Sequence, residues 1–343
     1  MPKNPLSSDL DHVLNHTQQL WKELRGARVF ITGGTGFVGS WLLESLSWAN
    51  LKYDLNLKLV VLTRDLDSFK NKAPHLVADT AIRYHFGDVR DFTYPEGEFS
   101  HIIHAAAEVS SNLNTTDPLL ILNTIVEGTQ RVLDFAVSCN ARAILFTSSG
   151  AVYGRQPVEI SHIPETYNGG PDPLDKSSAY GLGKKAAEHM CMLYSDKYGM
   201  DVSIARGFTF VGPYLPLDIH YAIGNFLRDG SNGKSIVVKG DGTSLRSYLY
   251  AADLAIWLWS IFLRGKSCRP YNVGSDQAIS IKDLAQLVSE KFNYDFKIQG
   301  KRKEVTAKNP EQYIPSVDRA KKELDLDICI NLDNAIDRTI ANL

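Results

Sequence analysis

Three polar residues have the types and spacing needed to move a proton. Tyr180 and Lys184 lie four residues apart in Tyr-Gly-Leu-Gly-Lys, and Ser149 ends an apolar run thirty-one residues earlier. On a helix, residues four apart share one face, and the lysine charge is expected to lower the phenol pKa from about 10. The serine hydroxyl can orient or relay the proton. We therefore predict Ser149, Tyr180 and Lys184 as catalytic residues of a hydride-transfer enzyme that acts on a carbinol.

A glycine-rich segment far upstream predicts the partner for that hydride. Gly33, Gly36 and Gly39 lie between an apolar strand and a helix. In this arrangement the first glycine permits a tight turn, the second lets the backbone approach a pyrophosphate, and the third lets the helix pack closely. The phosphates then lie at the helix N-terminus. The residues predicted here to bind a nicotinamide dinucleotide are Gly33, Thr35, Gly36, Phe37 and Val38.

The end of the second predicted strand bears on cofactor choice. It is Leu62-Thr63-Arg64-Asp65, where a dinucleotide site usually has an acidic residue for the ribose hydroxyls. Arg64 can instead bind a 2′-phosphate, with Thr63 adding a hydroxyl. The sequence therefore favours NADP. NAD stays as the alternative, in which Arg64 is a solvated charge and Asp65 takes the ribose.

Further cofactor contacts are predicted at later strand ends. Asp88 and Val89 follow the third strand and are placed to meet the adenine. His104 ends the fourth strand and is interpreted as a packed, hydrogen-bonded histidine. The small side chains after it let the backbone run close to the cofactor, and Lys184 can also hold the nicotinamide ribose. The predicted set is completed by Ala105, Ala106, Ala107, Thr147, Tyr180 and Lys184.

Strands and helices alternate through the first two hundred residues, which indicates a parallel sheet covered on both faces. The predicted strands are Arg28–Thr32, Lys58–Thr63, Ile82–Phe86, Ile102–His104, Ala143–Thr147 and Val202–Ala205, and the predicted helices are Phe37–Trp48, 116–138 and 178–198. The fold class is α/β: a Rossmann-type doubly wound parallel sheet. Such sheets bind ligands at the carboxyl ends of their strands, where the motifs lie.

The regions on either side of this alternation have other patterns. Residues 9–25 have apolar residues at helical spacing, and after about residue 207 proline and glycine divide the chain into short elements, with helices near 251–263 and 280–292. We expect a helical extension over 1–26, a cofactor-binding domain over 27–206 and a smaller C-terminal α/β substrate-binding lobe over 207–343. Whether the chain crosses between the lobes stays open.

Composition excludes several classes of partner. The formal net charge of −2 argues against nucleic acid, and no apolar run approaches the roughly 20 residues of a membrane helix. The N-terminus does not have the pattern of a signal peptide. The four cysteines (Cys139, Cys191, Cys268 and Cys329) have no metal-type spacing, so we expect no metal site and reduced thiols in a cytoplasmic protein.

Together these motifs resemble the extended short-chain dehydrogenase/reductase superfamily, and within it the nucleotide-sugar epimerase/dehydratase group, over about 27–330. Further matches are Asn123, Arg206 with Gly212-Pro213, the segment Gly240–Tyr248 containing Arg246, Tyr271–Gly274, and Asp318-x-Ala320. The resemblance implies a nucleotide-diphosphate sugar as substrate. It also implies that Asn123 lies at the cofactor, that Arg246 grips the diphosphate, and that a homodimer forms through the helices near 116–138 and 178–198.

Departures from relatives narrow the chemistry. Sugar-nucleotide 4,6-dehydratases carry Thr-Asp-Glu where this chain has Ser149-Gly150-Ala151, and UDP-glucuronate decarboxylases carry glutamate at the position of Ala151. The pattern is most similar to that of UDP-sugar 4-epimerases. One feature points the other way: Ala106-Ala107-Glu108 resembles the dehydratases. A separate departure is Thr209, which replaces the usual asparagine of the substrate loop. The substrate-binding candidates are Glu108, Ser149, Gly150, Thr209 and Arg246.

We therefore expect an NAD(P)-dependent nucleotide-sugar epimerase that acts at C4 through a transient 4-keto intermediate. The alternative is an NADPH-dependent 4-ketoreductase of a nucleotide deoxysugar. A 4,6-dehydratase and a non-catalytic NADP-binding regulator are the remaining possibilities.

Overall fold

A computed structural model describes residues 4–106, 116–218, 221–300 and 310–343. Its strands are β1 (Arg28–Thr32), β2 (Lys58–Thr63), β3 (Ile82–Phe86), β4 (His101–His104), β5 (Ala143–Ser149), β6 (Asp201–Gly207), β7 (Phe210–Val211), β8 (Ile236–Val238), β9 (Leu245–Arg246), β10 (Leu249–Tyr250), β11 (Pro270–Val273), β12 (Ile279–Ser280), β13 (Phe296–Ile298) and β14 (Gln312–Tyr313). Seven of them form one parallel sheet in the order β11-β6-β5-β4-β1-β2-β3. The predicted Rossmann-type doubly wound fold is confirmed.

The side chains of β2 explain why both faces of the sheet are covered. Leu59 and Val61 pack into one buried cluster, whereas Val60 and Leu62 pack into another. Successive residues of a strand point to opposite faces. The unbroken apolar run in β2 is therefore what a strand buried on both sides requires.

Eleven helices surround the sheets in the described parts of the chain. They are α1 (Ser7–Thr17), α2 (Phe37–Tyr53), α3 (Leu66–Lys72), α4 (Pro74–Val77), α5 (Pro118–Ser138), α6 (Ala179–Tyr198), α7 (Ala222–Ser231), α8 (Ala251–Arg264), α9 (Ile281–Phe292), α10 (Asp318–Leu324) and α11 (Leu332–Ile340). On one face of the main sheet, α5 and α6 pack together; on the other, α2, α8 and α1 do. Among the described residues, no helix is long and apolar enough to cross a membrane.

The N-terminal segment forms two short helices where its spacing predicts one over 9–25. α1 ends at Thr17, and a 3₁₀ helix follows at Trp21–Leu24. The Thr17 hydroxyl donates to the Val13 carbonyl (2.6 Å) and accepts from Trp21 Nε1 (3.0 Å). Threonine bonding to the preceding turn bends helices. Here it turns Trp21 inward, where its ring lies 5.2 Å from that of Trp259.

The chain after residue 207 contributes one strand to the main sheet and one helix to the layer that covers it. β11 extends the main sheet beside β6, and α8 packs against that sheet. The remaining strands form three small sheets, β7 with β10, β8 with β13, and β9 with β12 and β14. The division into 1–26, 27–206 and 207–343 stays our proposal for the domain organisation.

Candidate active site

A cavity of about 970 Å³ opens at the carboxyl ends of the central strands and is covered by the C-terminal segments. This is where a doubly wound sheet places its ligands. The predicted residues in its wall are Gly33, Gly36, Phe37, Val38, Ala105, Thr147, Ser149, Tyr180, Lys184, Thr209 and Arg246. The structure therefore brings the glycine loop, the predicted catalytic residues and two substrate candidates to one space.

The glycine loop fits a dinucleotide. Gly33 has a left-handed backbone (φ +69°), and a Cβ there would lie 2.4 Å from the carbonyl carbon of Ala105. Any side chain would thus push β1 and β4 apart at the floor of the cavity. α2 begins at Phe37 with Gly36 as its N-cap, and its first two residues line the cavity. The free amides of such a helix end suit a pyrophosphate.

Ser149, Tyr180 and Lys184 are positioned by β5 and α6. Ser149 is the last residue of β5, and its hydroxyl accepts the Ala151 amide (3.2 Å). Tyr180 is the second residue of α6, and Lys184 lies one turn later. Lys184 Nζ donates to the Thr147 carbonyl at 2.7 Å. The two elements are therefore joined within the predicted site.

The pKa of the Tyr180 phenol is shifted in the direction opposite to the expected one. Burial and the nearby Tyr221 raise the pKa of the Tyr180 phenol, and the hydrogen bond with the Ser149 side chain opposes that rise. Burial also lowers the pKa of Lys184 to about 8. The expected lowering of the phenol pKa by Lys184 is thus not found, since burial dominates and the Lys184 ammonium is bonded to the Thr147 carbonyl. Ser149, rather than Lys184, is the group that opposes this rise in the phenol pKa.

Two tyrosines at the site had no motif to predict them. Tyr313 and Tyr221 line the cavity, and proximity to the Ser149 side chain partly offsets the rise in the Tyr313 pKa that burial causes. A Cβ on Gly150 would lie 2.6 Å from the Tyr313 hydroxyl, so this phenol occupies the space beside the glycine. The one signal in the sequence was Gly150 itself, since a residue without a side chain next to Ser149 leaves room for another element.

A buried polar network holds the site from behind. Glu188 accepts from Ser148 Oγ (2.5 Å) and from Arg206 through Nε (2.9 Å) and Nη2 (2.6 Å). Arg206 also donates to the Tyr153 hydroxyl (2.9 Å), which donates to Asn272 (2.7 Å). The network joins α6, one turn after Lys184, to β5, β6 and β11. It fixes the distance between the helix and the strand that carry the predicted catalytic residues.

The end of β2 has a more open arrangement. The Arg64 side chain is 63% exposed, with Nη1 3.8 Å from Asp88 Oδ2. Asp88 also accepts from Arg90 Nε at 2.8 Å, and this bond holds the Asp88 pKa below its usual range. Asp65 caps α3 by accepting the Ser68 amide (3.0 Å). Both carboxylates near Arg64 therefore have partners within the protein.

Other predicted residues do not line the cavity. They are Thr35, Thr63, Arg64, Asp88, Val89, Ala106, Asn123 and Gly150, all within the described ranges. The Thr35 carbonyl accepts from Lys72 Nζ (3.1 Å), and the Thr63 hydroxyl donates to the Asp65 carbonyl (3.2 Å). Ala107 and Glu108 lie outside the described residues.

Arg246 and Thr209, the substrate candidates in the wall besides Ser149, have hydrogen-bond partners within the protein. Arg246 Nη2 lies 2.6 Å from Glu311 Oε1, and the Thr209 hydroxyl donates to the Ser247 carbonyl. His104 is the packed histidine that was expected. Its ring bonds Thr32 (2.7 Å) and Thr129 (3.0 Å), and burial lowers its pKa to about 3.

Comparison with known proteins agrees with this geometry. The sequence model of the NAD dependent epimerase/dehydratase family matches residues 29–274. UDP-glucuronic acid decarboxylase 5 of Arabidopsis thaliana is 32% identical over 87% of this chain and 83% of its own length. A UDP-galactose 4-epimerase structure superposes with a TM-score of 0.73 at 26% identity, over 92% of this chain and 98% of its own. A dTDP-glucose 4,6-dehydratase from Streptomyces venezuelae, solved with NAD bound, has a TM-score of 0.78 at 23% identity, over 91% and 95%.

Proposed function

Because the chain belongs to the NAD dependent epimerase/dehydratase family, we propose that it inverts C4 of a nucleotide-diphosphate sugar through a transient 4-keto sugar. The observation that carries the proposal is that Ser149, Tyr180 and Lys184 line the cavity, whereas Gly150 and Ala151, the residues after Ser149, have no group that can transfer a proton. Oxidation and reduction at C4 need the first three residues, whereas elimination needs an acid and base in addition.

Each residue of the site has a separate role in the proposed reaction. Tyr180 exchanges a proton with the C4 hydroxyl, and Ser149, which contacts the Tyr180 and Tyr313 phenols, orients that oxygen. Lys184 supplies a positive charge at the floor of the site. Gly33, Gly36, Phe37, Val38 and Ala105 would hold the dinucleotide, whose nicotinamide when bound accepts a hydride and returns it. Arg246 would bind the substrate diphosphate.

Tyr313 supports this reaction over dehydration. Its hydroxyl lies 2.6 Å from where a Cβ of residue 150 would stand, so a carboxylate on that residue would clash with the phenol. Ala151, which lines the cavity, presents only a methyl group. The absence of a glutamate at residue 151 also argues against decarboxylation, the activity named for the Arabidopsis relative.

The test is a product analysis without added reductant. The purified protein, with NAD or NADP, is incubated in separate reactions with UDP-, GDP-, CDP- and dTDP-sugars, including UDP-glucuronic acid, and followed by proton NMR. We expect one substrate to equilibrate with its C4 epimer with no net change in NAD(P)H absorbance. Release of carbon dioxide, or accumulation of a 4-keto-6-deoxy sugar, would overturn the proposal.

A second candidate is an NADPH-dependent 4-ketoreductase, favoured by Arg64. Consumption of one NADPH for each 4-keto sugar added would support it.

For both candidate functions we propose NADP rather than NAD as the cofactor. Asp65 caps α3 and Asp88 accepts from Arg90, so both carboxylates have partners within the protein, and the positive charge of Arg64 suits a 2′-phosphate. A higher affinity for NAD than for NADP in a direct binding titration would refute this.

We also propose a cytoplasmic homodimer. α6 exposes Met192, Leu193 and Tyr198, and α5 exposes Leu119. A second copy would bury these apolar side chains. All four cysteines are described and unpaired, which suits a reducing compartment. Light scattering should give twice the mass of 38.2 kDa and Leu193→Glu should lower it, whereas a monomeric wild-type protein would refute the dimer.

A further inference from the structure

Outside the cavity, two histidines and a thiol meet on the surface. His12 and His16 lie one turn apart on α1, with ring centroids 4.3 Å apart. Cys329 lies in the segment between α10 and α11, and its Sγ is 3.6 Å from His16 Nε2. One ring nitrogen from each histidine and this sulfur lie within 4.8 Å of one another. Ligands that share a metal ion at about 2.0–2.3 Å have comparable separations.

Both imidazoles are oriented by partners of the kind that metal-ligating histidines have. His16 Nδ1 is 2.9 Å from the His12 carbonyl oxygen. A carbonyl only accepts, so Nδ1 carries the proton and the lone pair of Nε2 is directed at the sulfur. His12 Nε2 lies 3.4 Å from Asp253 Oδ1, a buried carboxylate at the start of α8. Carboxylate and carbonyl partners of this kind are the usual second shell of a zinc site.

The same carboxylate positions the segment that carries the thiol. Asp253 Oδ2 accepts the amides of Cys329 (3.0 Å) and Ile330 (2.9 Å). One buried side chain thus orients His12 and places Cys329. Three independent segments, α1, the start of α8 and the stretch before α11, are therefore arranged around one point on the surface.

We propose that His12, His16 and Cys329 bind a zinc ion, with water at the fourth position. Two imidazoles and a thiolate form a borderline-soft donor set that suits zinc. Binding displaces the thiol proton to solvent. None of the three ligands lines the catalytic cavity, so the ion would act by fastening α1 to the segment before α11. Our sequence-based expectation of no metal rested on cysteine spacing, and His16 and Cys329 are 313 positions apart.

Cobalt substitution tests the site directly. The full-length protein, carrying no histidine tag and treated with a chelator, is titrated with Co²⁺. We expect one equivalent to bind with the visible bands of tetrahedral Co²⁺ and a near-ultraviolet thiolate charge-transfer band, both abolished by Zn²⁺. Cys329→Ser should abolish the charge-transfer band, and His16→Ala should weaken binding by at least about tenfold. The matched control is Cys268→Ser, which removes the other thiol that is not buried and should leave the spectrum unchanged.

Two results would overturn the proposal. One is the absence of a charge-transfer band in the wild-type protein, even if surface groups bind several equivalents of Co²⁺ weakly. The other is a band that survives in Cys329→Ser. A second measurement covers the case of a misfolded variant: Zn²⁺ should raise the thermal midpoint of the wild-type and Cys268→Ser proteins but not that of His16→Ala. These assays use no sugar substrate, so their outcome is independent of the proposed epimerase activity.

Discussion

The carboxyl ends of β5 and β2, two strands of the same sheet, have different surroundings. At β5 and α6, Ser149 and Lys184 are buried and the supporting Glu188–Arg206 pair is bidentate. At β2, Arg64 is mostly exposed and its Nη1 lies 3.8 Å from Asp88 Oδ2. Proton transfer needs fixed geometry in a site without water, whereas an exposed guanidinium can bias the choice of cofactor with little constraint. Substitutions should therefore have large effects at the first end and small, graded effects at the second.

The largest expected effect is on turnover. Tyr180→Phe removes the phenol that we propose exchanges the proton, so turnover should fall at least about 100-fold while the affinity for the dinucleotide is kept. The matched control is Tyr194→Phe on the same helix, whose phenol bonds Asp134 at 2.5 Å and does not line the cavity. Unchanged turnover in Tyr180→Phe would refute the role that we propose for this phenol.

The supporting network should matter for stability. Glu188→Gln removes the charge that pairs with the buried Arg206 guanidinium, and leaving one partner of a buried pair uncompensated costs about 3 kcal/mol. Urea unfolding measures this loss. Asp196→Asn, on the exposed side of the same helix, should change the free energy of unfolding by no more than about 0.5 kcal/mol. A glutamine variant as stable as that control would mean that the network does not hold α6 to β5.

Between the two ends, β4 should make the protein sensitive to acid. Burial lowers the pKa of His101 to about 4, with a contribution from Arg142, and burial lowers that of His104 to about 3. The unfolded chain, with a histidine pKa near 6.5, binds more protons below that pH, so stability falls as the pH drops from 6.5 towards 4. At pH 5 each histidine should cost about 2 kcal/mol relative to pH 7.

The measurement for β4 is the slope of the unfolding free energy between pH 7 and pH 5. His104→Asn should reduce that slope whatever its effect at pH 7, whereas His189→Asn, an exposed histidine of α6, should leave it unchanged. Equal slopes in the wild-type and His104→Asn proteins would show that His104 does not stay neutral in the folded protein.

The smallest effect should lie at β2. Arg64→Ala removes one solvent-exposed charge, so we expect about a tenfold loss of NADP affinity, equivalent to about 1.4 kcal/mol, with little change for NAD. Titration by intrinsic fluorescence measures both cofactors. Arg83→Ala, an exposed arginine on β3, is the control. If the two variants bind NADP equally, Arg64 does not select the cofactor.

Predictions from the sequence succeeded where the signal was local. The six predicted strands all occur, β1, β2 and β3 with the predicted bounds, because apolar runs between turn residues report burial directly. The predicted helix at Phe37–Trp48 continues to Tyr53, since no strong terminating signal lies within that stretch. At the site, the spacing of Tyr180 and Lys184 on one helix was enough to place both in the cavity wall.

The rest depended on residues far apart in the chain. Tyr313, on β14, lies beside Ser149, at the end of β5, and no spacing rule connects the two residues. The direction of the Tyr180 pKa shift depended on how deeply the phenol is buried, which a helical position does not specify. The β11 strand joined the main sheet from beyond residue 207, where the sequence left the path of the chain open.

By itself, the sequence determined the class of fold, and it was enough to propose the cofactor loop and the residues that move a proton, because each depends on neighbours within one strand, turn or helix. The tertiary structure decided which groups surround that proton, which carboxylates already have partners, and that His12, His16 and Cys329 meet at one point. These depend on how distant segments pack. Burial and distance then set the energies, and neither is a property of a short stretch of chain.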